Sequence, residues 1–213
     1  MLERIPLPES IAQSRLVAVV RATSIETLPN VVSVLIENGI TVIELTLTTP
    51  DAIRSTTDLR SVWGDRAFIG MGTVTTKGQA RDCIAAGAQF LVTPITVPEI
   101  AHISTEAGVP ILMGAFSPTE VATAWDSGAT AVKVFPASQV EPSYLRELRG
   151  PFPEIVTMPS GGVTIDDIPA WLSAGASAVS LGGSLIGSAF SGDLAGLAER
   201  ARKAVDYVAK ARN

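Results

Sequence analysis

Glycine recurs along this 213-residue chain at intervals of 20 to 25 residues, at Gly39, Gly64, Gly87, Gly108, Gly128, Gly150 and Gly175. Most of these glycines end a helix-like segment and precede a short apolar run. A helix C-terminus favours glycine because its last turn commonly closes through the left-handed conformation. The runs that follow cover residues 41–45, 67–71, 88–92, 111–113, 131–134, 155–158 and 178–181, and residues 16–20 supply one more ahead of the first glycine. The segments between them carry helical periodicity: Leu28, Val31, Val32, Leu35 and Ile36 form one apolar stripe, and Ile168, Trp171 and Leu172 a shorter one. Ser24, Thr76, Ser117 and Thr164 stand where helix starts are expected.

Eight strand–helix units of about 25 residues predict a single-domain (β/α)₈ TIM barrel spanning residues 1–213. The strands lack strict alternation, as parallel strands buried on both faces should. Residues 1–14 precede the first strand and are expected to form a helix closing the lower end of the barrel. A doubly wound open sheet is the rival, but Arg21-Ala22-Thr23-Ser24 stands where its G-x-G-x-x-G would follow the first strand.

Composition narrows the function classes. A hydrophobic fraction of 46% with 17% charged residues supports a large core. A net charge of −5 argues against a nucleic-acid surface or a polybasic membrane patch. One cysteine, Cys83, excludes an intramolecular disulfide and fits a reducing compartment. No signal-like N-terminus and no long apolar stretch stand out, so a cytoplasmic protein is expected, with neither membrane nor nucleic acid as partner. No cluster with metal-ligand spacing is visible, and no cofactor is implied.

Barrel enzymes place their chemistry at the C-terminal ends of the strands. Applied here, that rule selects Arg21 after the first strand, Glu44 in the second, Thr73 after the third and Pro94 after the fourth. It selects Lys133 and Phe135 in and after the sixth, Ser160-Gly161-Gly162 after the seventh, and Gly183-Ser184 after the eighth. Lys133 and Glu44 are the only charged residues within the strand cores. An unpaired ammonium in a buried strand is costly, whereas a desolvated amine is a usable nucleophile. A lysine with a carboxylate beside it is equipped for Schiff-base chemistry on a ketone, the carboxylate moving protons. The alternative is a structural ion pair, for which a barrel core has little use. Glycine turns after strands seven and eight suit an anion, commonly a substrate phosphate.

These motifs resemble those of the 2-keto-3-deoxy-6-phosphogluconate (KDPG) and 2-keto-3-deoxy-6-phosphogalactonate aldolase family. The resemblance rests on six stretches in order, namely Ile43–Thr46, 70–74, 92–94, 133–137, 159–163 and 182–184. It implies a class I aldolase of carbohydrate metabolism, serving routes such as the Entner–Doudoroff pathway, and a homotrimer. Its substrate would be a phosphorylated 2-keto acid cleaved to pyruvate and glyceraldehyde 3-phosphate. By the same resemblance Lys133 matches the Schiff-base lysine and Glu44 the proton-shuttling carboxylate. Thr73 matches a threonine near the pyruvate carboxylate, Pro94 and Phe135 line the pocket, and Gly161, Gly162, Gly183 and Ser184 match the phosphate and distal-hydroxyl region. Some members carry an arginine where this chain has Thr48; others carry one at the position of Arg21, which is expected to meet the substrate carboxylate or phosphate. Ser160 stands where threonine is usual. The competing expectations are an aldolase for unphosphorylated 4-hydroxy-2-oxo acids such as 4-hydroxy-2-oxoglutarate, or a non-catalytic phosphate-binding or assembly barrel.

Overall fold

The computed structural model describes residues 3–211. Eight parallel strands alternate with helices: β1 (Leu16–Val20), β2 (Val42–Thr46), β3 (Phe68–Gly72), β4 (Leu91–Val92), β5 (Ile111–Ala115), β6 (Ala131–Val134), β7 (Thr157–Pro159) and β8 (Val179–Leu181). Their order is β7-β6-β5-β4-β3-β2-β1-β8. The ends of that order meet without a ladder. The Ser177 N–H donates to Thr157 O at 2.9 Å, and Ser160 Oγ donates to Ser180 Oγ at 3.2 Å, drawing the seam shut.

The apolar strands divide their side chains by period two between two cores. Val17, Val42, Phe90, Val92, Leu112, Ala131, Met158 and Ala178 fill the barrel interior. Leu16, Ala18, Ile43, Leu45, Ile69, Met71, Val132 and Leu181 face the helical ring. The same alternation turns Glu44 and Lys133 inward, above the interior apolar layer.

The lower end is closed as expected. The helix Glu9–Ser14 inserts Ile11, fully buried, among the interior side chains. Arg4 ties the preceding segment down, donating to Ala129 O at 3.0 Å and Trp125 O at 2.6 Å and lying 3.5 Å over the Trp125 ring. Most of the evenly spaced glycines adopt positive φ, as helix C-termini require; Gly150, which precedes Pro151, does not.

Two local expectations change. Thr76 and Ser117 each close a capping box, but Ser24 caps no helix. Its hydroxyl accepts the Glu26 N–H in a turn, and the helix begins only at Leu28, with Pro29 in its first turn. Strand β4 starts later than the apolar run 88–92, because the Gln89 side chain takes the place of backbone there, accepting the Ile69 N–H at 2.8 Å. Thr93 Oγ1 accepts from Gly114 N at 2.9 Å and donates to Ile95 O at 2.6 Å.

Removing the Ile11 plug should leave a cavity the interior cannot fill. Ile11→Ala is expected to lower unfolding stability by about 2–5 kcal/mol, read by urea denaturation; an unchanged midpoint would mean the N-terminal helix does not seal the barrel. Burial, reinforced by Asp82, pushes the Cys83 thiol up to about 12. Native protein at pH 8 should therefore resist a thiol-reactive disulfide reagent and react only once denatured.

Candidate active site

Lys133 on β6 and Glu44 on β2 both point into the upper interior. The Lys133 Nζ lies 3.7 Å from Glu44 Oε1, with the side chains only 7% and 1% exposed. That separation is an ion pair but is too long for a hydrogen bond. Glu44 Oε2 is buried and accepts no hydrogen bond from the protein. Lys133 also sits 5.3 Å from the centroid of the Phe135 ring. A buried pair so thinly satisfied adds little stability over apolar residues of the same size. Its value is chemical: an amine and a carboxylate converge on one point.

Room for that pair is made by glycine. Gly72 lies beside Glu44, and a Cβ there would overlap the Glu44 carboxylate. Gly114 plays the same part for Pro94, whose carbonyl carbon a Cβ would strike. The Gly114 carbonyl accepts from Thr96 Oγ1 at 2.7 Å, so threonines hold the bend that turns Pro94 into the cavity. Thr73, just past β3, takes a φ of 62°. This left-handed conformation costs a β-branched residue about 1–3 kcal/mol, and it falls at the cavity wall.

A cavity of about 950 Å³ opens at the C-terminal mouth of the barrel. Every residue selected from the strand ends lines it: Arg21, Glu44, Thr73, Pro94, Lys133, Phe135, Ser160, Gly161, Gly162, Gly183 and Ser184. Arg21 is exposed at the rim, where its guanidinium donates to Thr48 Oγ1. Thr48 in turn lies 3.0 Å from Thr46 Oγ1. Arg21 and Thr48, the end of the first strand and the loop after the second, thus touch. Gly161 and Gly162 have φ of 84° and 82°. A Cβ on Gly161 would come within 2.8 Å of the Phe135 ring, and one on Gly162 would overlap Ser138.

The serines serve a second purpose. Ser184 Oγ donates to Val163 O at 2.7 Å, tying the β8 turn to the β7 turn, while the Ser160 hydroxyl spans the seam to Ser180. Their hydroxyl protons are thus engaged within the protein. The N–H groups of Gly183 and Ser184 open the short helix Gly183–Ile186, where no intrahelical acceptor exists for them. His102 stands outside the site, exposed, with Nδ1 3.0 Å from Pro98 O.

Sequence reasoning missed Val19, Thr23, Ile186, Gly187, Phe190 and Ser191, which line the β1 and β8 side. Val19 was findable, since it precedes Arg21 by two in the same inward phase. Phe190 and Ser191 lie in the loop after the short helix and carry no motif. Among the described residues, no helix is long and apolar enough to cross a membrane.

An amine and a carboxylate inside the mouth of a (β/α)₈ barrel, with glycine turns on the last two strands, define the class to which this chain is to be compared. A family model described as KDPG and KHG aldolase matches residues 7–199, and the chain belongs to that family. Its members are aldolases, carbon–carbon lyases, and so is this chain. A probable 2-dehydro-3-deoxy-6-phosphogalactonate aldolase of Rhizobium meliloti (strain 1021) is 32% identical over 185 residues, 86% of each chain. A solved structure described as native KDPGal superposes with a TM-score of 0.87 at 28% identity, over 100% of this chain and 99% of that one. A KDPG aldolase from Legionella pneumophila, solved with pyruvate captured as a covalent carbinolamine, gives 0.83 at 27% identity, over 91% and 95% of the two chains.

A methyl group at Gly72 must displace the Glu44 carboxylate from Lys133. Gly72→Ala is expected to cut aldolase turnover by about 10²-fold, as misplacement of a reacting group by an ångström does, with circular dichroism unchanged. Full activity in that variant would show that the position of Glu44 is not critical.

Proposed function

We propose that this chain is a class I aldolase cleaving 2-keto-3-deoxy-6-phosphogluconate, or its galactonate epimer, reversibly to pyruvate and glyceraldehyde 3-phosphate. The observation that carries the reading is the buried Lys133–Glu44 pair, 3.7 Å apart, in a cavity whose other end is walled by the β7 and β8 glycine turns. The Lys133 amine adds to the C2 ketone, giving a carbinolamine that loses water to an imine. Glu44 carries the protons for both steps, directly or through water, and in the cleavage that follows it takes the proton of the C4 hydroxyl. The protonated imine draws in the electron pair of the C3–C4 bond. That bond breaks, releasing the aldehyde and leaving an enamine. Protonation of the enamine at C3, with Glu44 as the acid, gives the pyruvate imine, and water hydrolyses it to restore the amine.

The remaining residues orient the substrate. Thr73 lies beside the pyruvate carboxylate, and Pro94 and Phe135 exclude water around the imine. Arg21 neutralises the substrate carboxylate or phosphate. Gly161, Gly162, Gly183 and Ser184 receive the phosphate through backbone N–H groups, and Ser160 faces the sugar-acid hydroxyls. The family relationship also supports a homotrimer acting in the cytoplasm.

Borohydride trapping with pyruvate tests the core of this reading. Wild-type protein should gain one reduced pyruvate adduct, mapped to Lys133 by peptide mass. Lys133→Met should gain none and lose turnover, while Glu44→Gln should fold normally and lose about 10²–10⁴-fold in kcat. Turnover retained by Lys133→Met would overturn the Schiff-base assignment. Comparable kcat/KM for 4-hydroxy-2-oxoglutarate and the phosphorylated acid would overturn the phosphate assignment alone.

A further inference from the structure

The short helix Gly183–Ile186 is a single turn, and one turn cannot hold its own geometry. Its first residues form the β8 wall of the cavity, and its last carbonyls have no partner within the turn. Those carbonyls are met from outside the cavity. Arg200, on the C-terminal helix Leu194–Lys210, donates from Nε to Leu185 O at 2.7 Å and from Nη2 to Ile186 O at 3.0 Å. Its third donor, Nη1, reaches Asp193 Oδ2 at 3.1 Å.

Asp193 anchors the clamp. It caps the C-terminal helix by accepting the Gly196 N–H at 3.0 Å and receives the Ser188 hydroxyl at 3.3 Å. The Arg200 and Gly196 hydrogen bonds hold its carboxyl below the ordinary carboxylate range, so it stays charged at neutral pH. Two glycines make the arrangement possible. A Cβ on Gly187 would come within 2.8 Å of Arg200 Nη2, and one on Gly196 would overlap the Asp193 carboxylate. The C-terminal helix is a firm base, with Leu197, Ala201, Ala204 and Val208 buried against the barrel.

We propose that Arg200 is a positioning residue for substrate phosphate, fixing the C-terminal end of the short helix so that the 182–184 turn faces the cavity. This rests on the reading of the β7 and β8 turns as the phosphate end of the site. A guanidinium suits the task because its planar fork spans two successive carbonyls and a carboxylate at once. An unclamped turn would also draw Ser184 away from Val163, loosening the β7 turn with it. Arg200 does not line the cavity and touches no reacting atom.

The test compares wild type, Arg200→Ala and Arg200→Lys on the phosphorylated 2-keto acid, on 4-hydroxy-2-oxoglutarate, and with inorganic phosphate as competitive inhibitor. In Arg200→Ala, the KM for the phosphorylated acid and the inhibition constant of phosphate should both rise about tenfold or more, as loss of charge-assisted hydrogen bonds does. Its kcat, its turnover of the unphosphorylated acid and its borohydride trapping with pyruvate should stay near wild type. Arg200→Lys, which keeps the charge but reaches fewer carbonyls, should fall between. Equal losses on both substrates, tracking the folded fraction, would assign Arg200 to stability alone and overturn the proposal. Should Arg200→Ala not fold, an unchanged KM in Arg200→Lys overturns it equally. Wild-type protein that neither prefers the phosphorylated acid nor binds phosphate would instead defeat the phosphate reading itself, and this inference with it.

Discussion

An ammonium and a carboxylate held 3.7 Å apart inside an apolar barrel set the terms for everything around them. Neither group would be buried for stability, because desolvation offsets much of their attraction. They are tolerable because the barrel below them is solid. Val17, Val42, Phe90, Leu112 and Met158 fill the lower interior and Ile11 plugs it from beneath, so water reaches the pair only from the mouth. Above, the side chain that would crowd Glu44 has been reduced to hydrogen at Gly72, and Gly114 gives the same room to the Pro94 backbone. The strained Thr73 is carried by the same rigid frame.

Charge at the mouth runs against charge on the molecule. The chain carries a net −5, yet the charged side chains lining the cavity are Arg21, Lys133 and Glu44, two cations against one anion. Field lines concentrate where cations sit in a low-dielectric cleft. The cavity lining thus carries the opposite sign of charge to the molecule as a whole. Arg21 holds its place at the rim through Thr48, so its charge is directed rather than merely present.

Much of the fold was legible because the repeat is physical. Each unit needs a helix end and a buried strand, and glycine with a short apolar run is the cheapest way to write both. The strand ends were equally legible: once the eight runs were placed, the barrel's polarity selected Lys133, Glu44 and the glycine turns. What the sequence concealed were relations between distant residues. Nothing local shows that Gly72 exists for Glu44, that the Gln89 side chain replaces the start of β4, or that Thr73 is forced to positive φ. Arg200 reads as one more charge on an amphipathic helix, and Phe190 as a loop aromatic. Ser24 misled for the converse reason, since a good capping residue also makes a good turn.

The seam of the barrel explains where these hidden relations gather. Strands β7 and β8 end the sheet order without pairing into a ladder, which leaves a gap between them. The gap must still be held at fixed width, and side chains do that work: Ser160 to Ser180, Ser184 to Val163, and Arg200 to the carbonyls behind the β8 turn. The seam thus closes with side chains at the mouth and with backbone, Ser177 N–H to Thr157 O, below it. The Lys133–Glu44 pair therefore stands on fully laddered β6 and β2, and the glycine turns stand on the seam that the ladder leaves open.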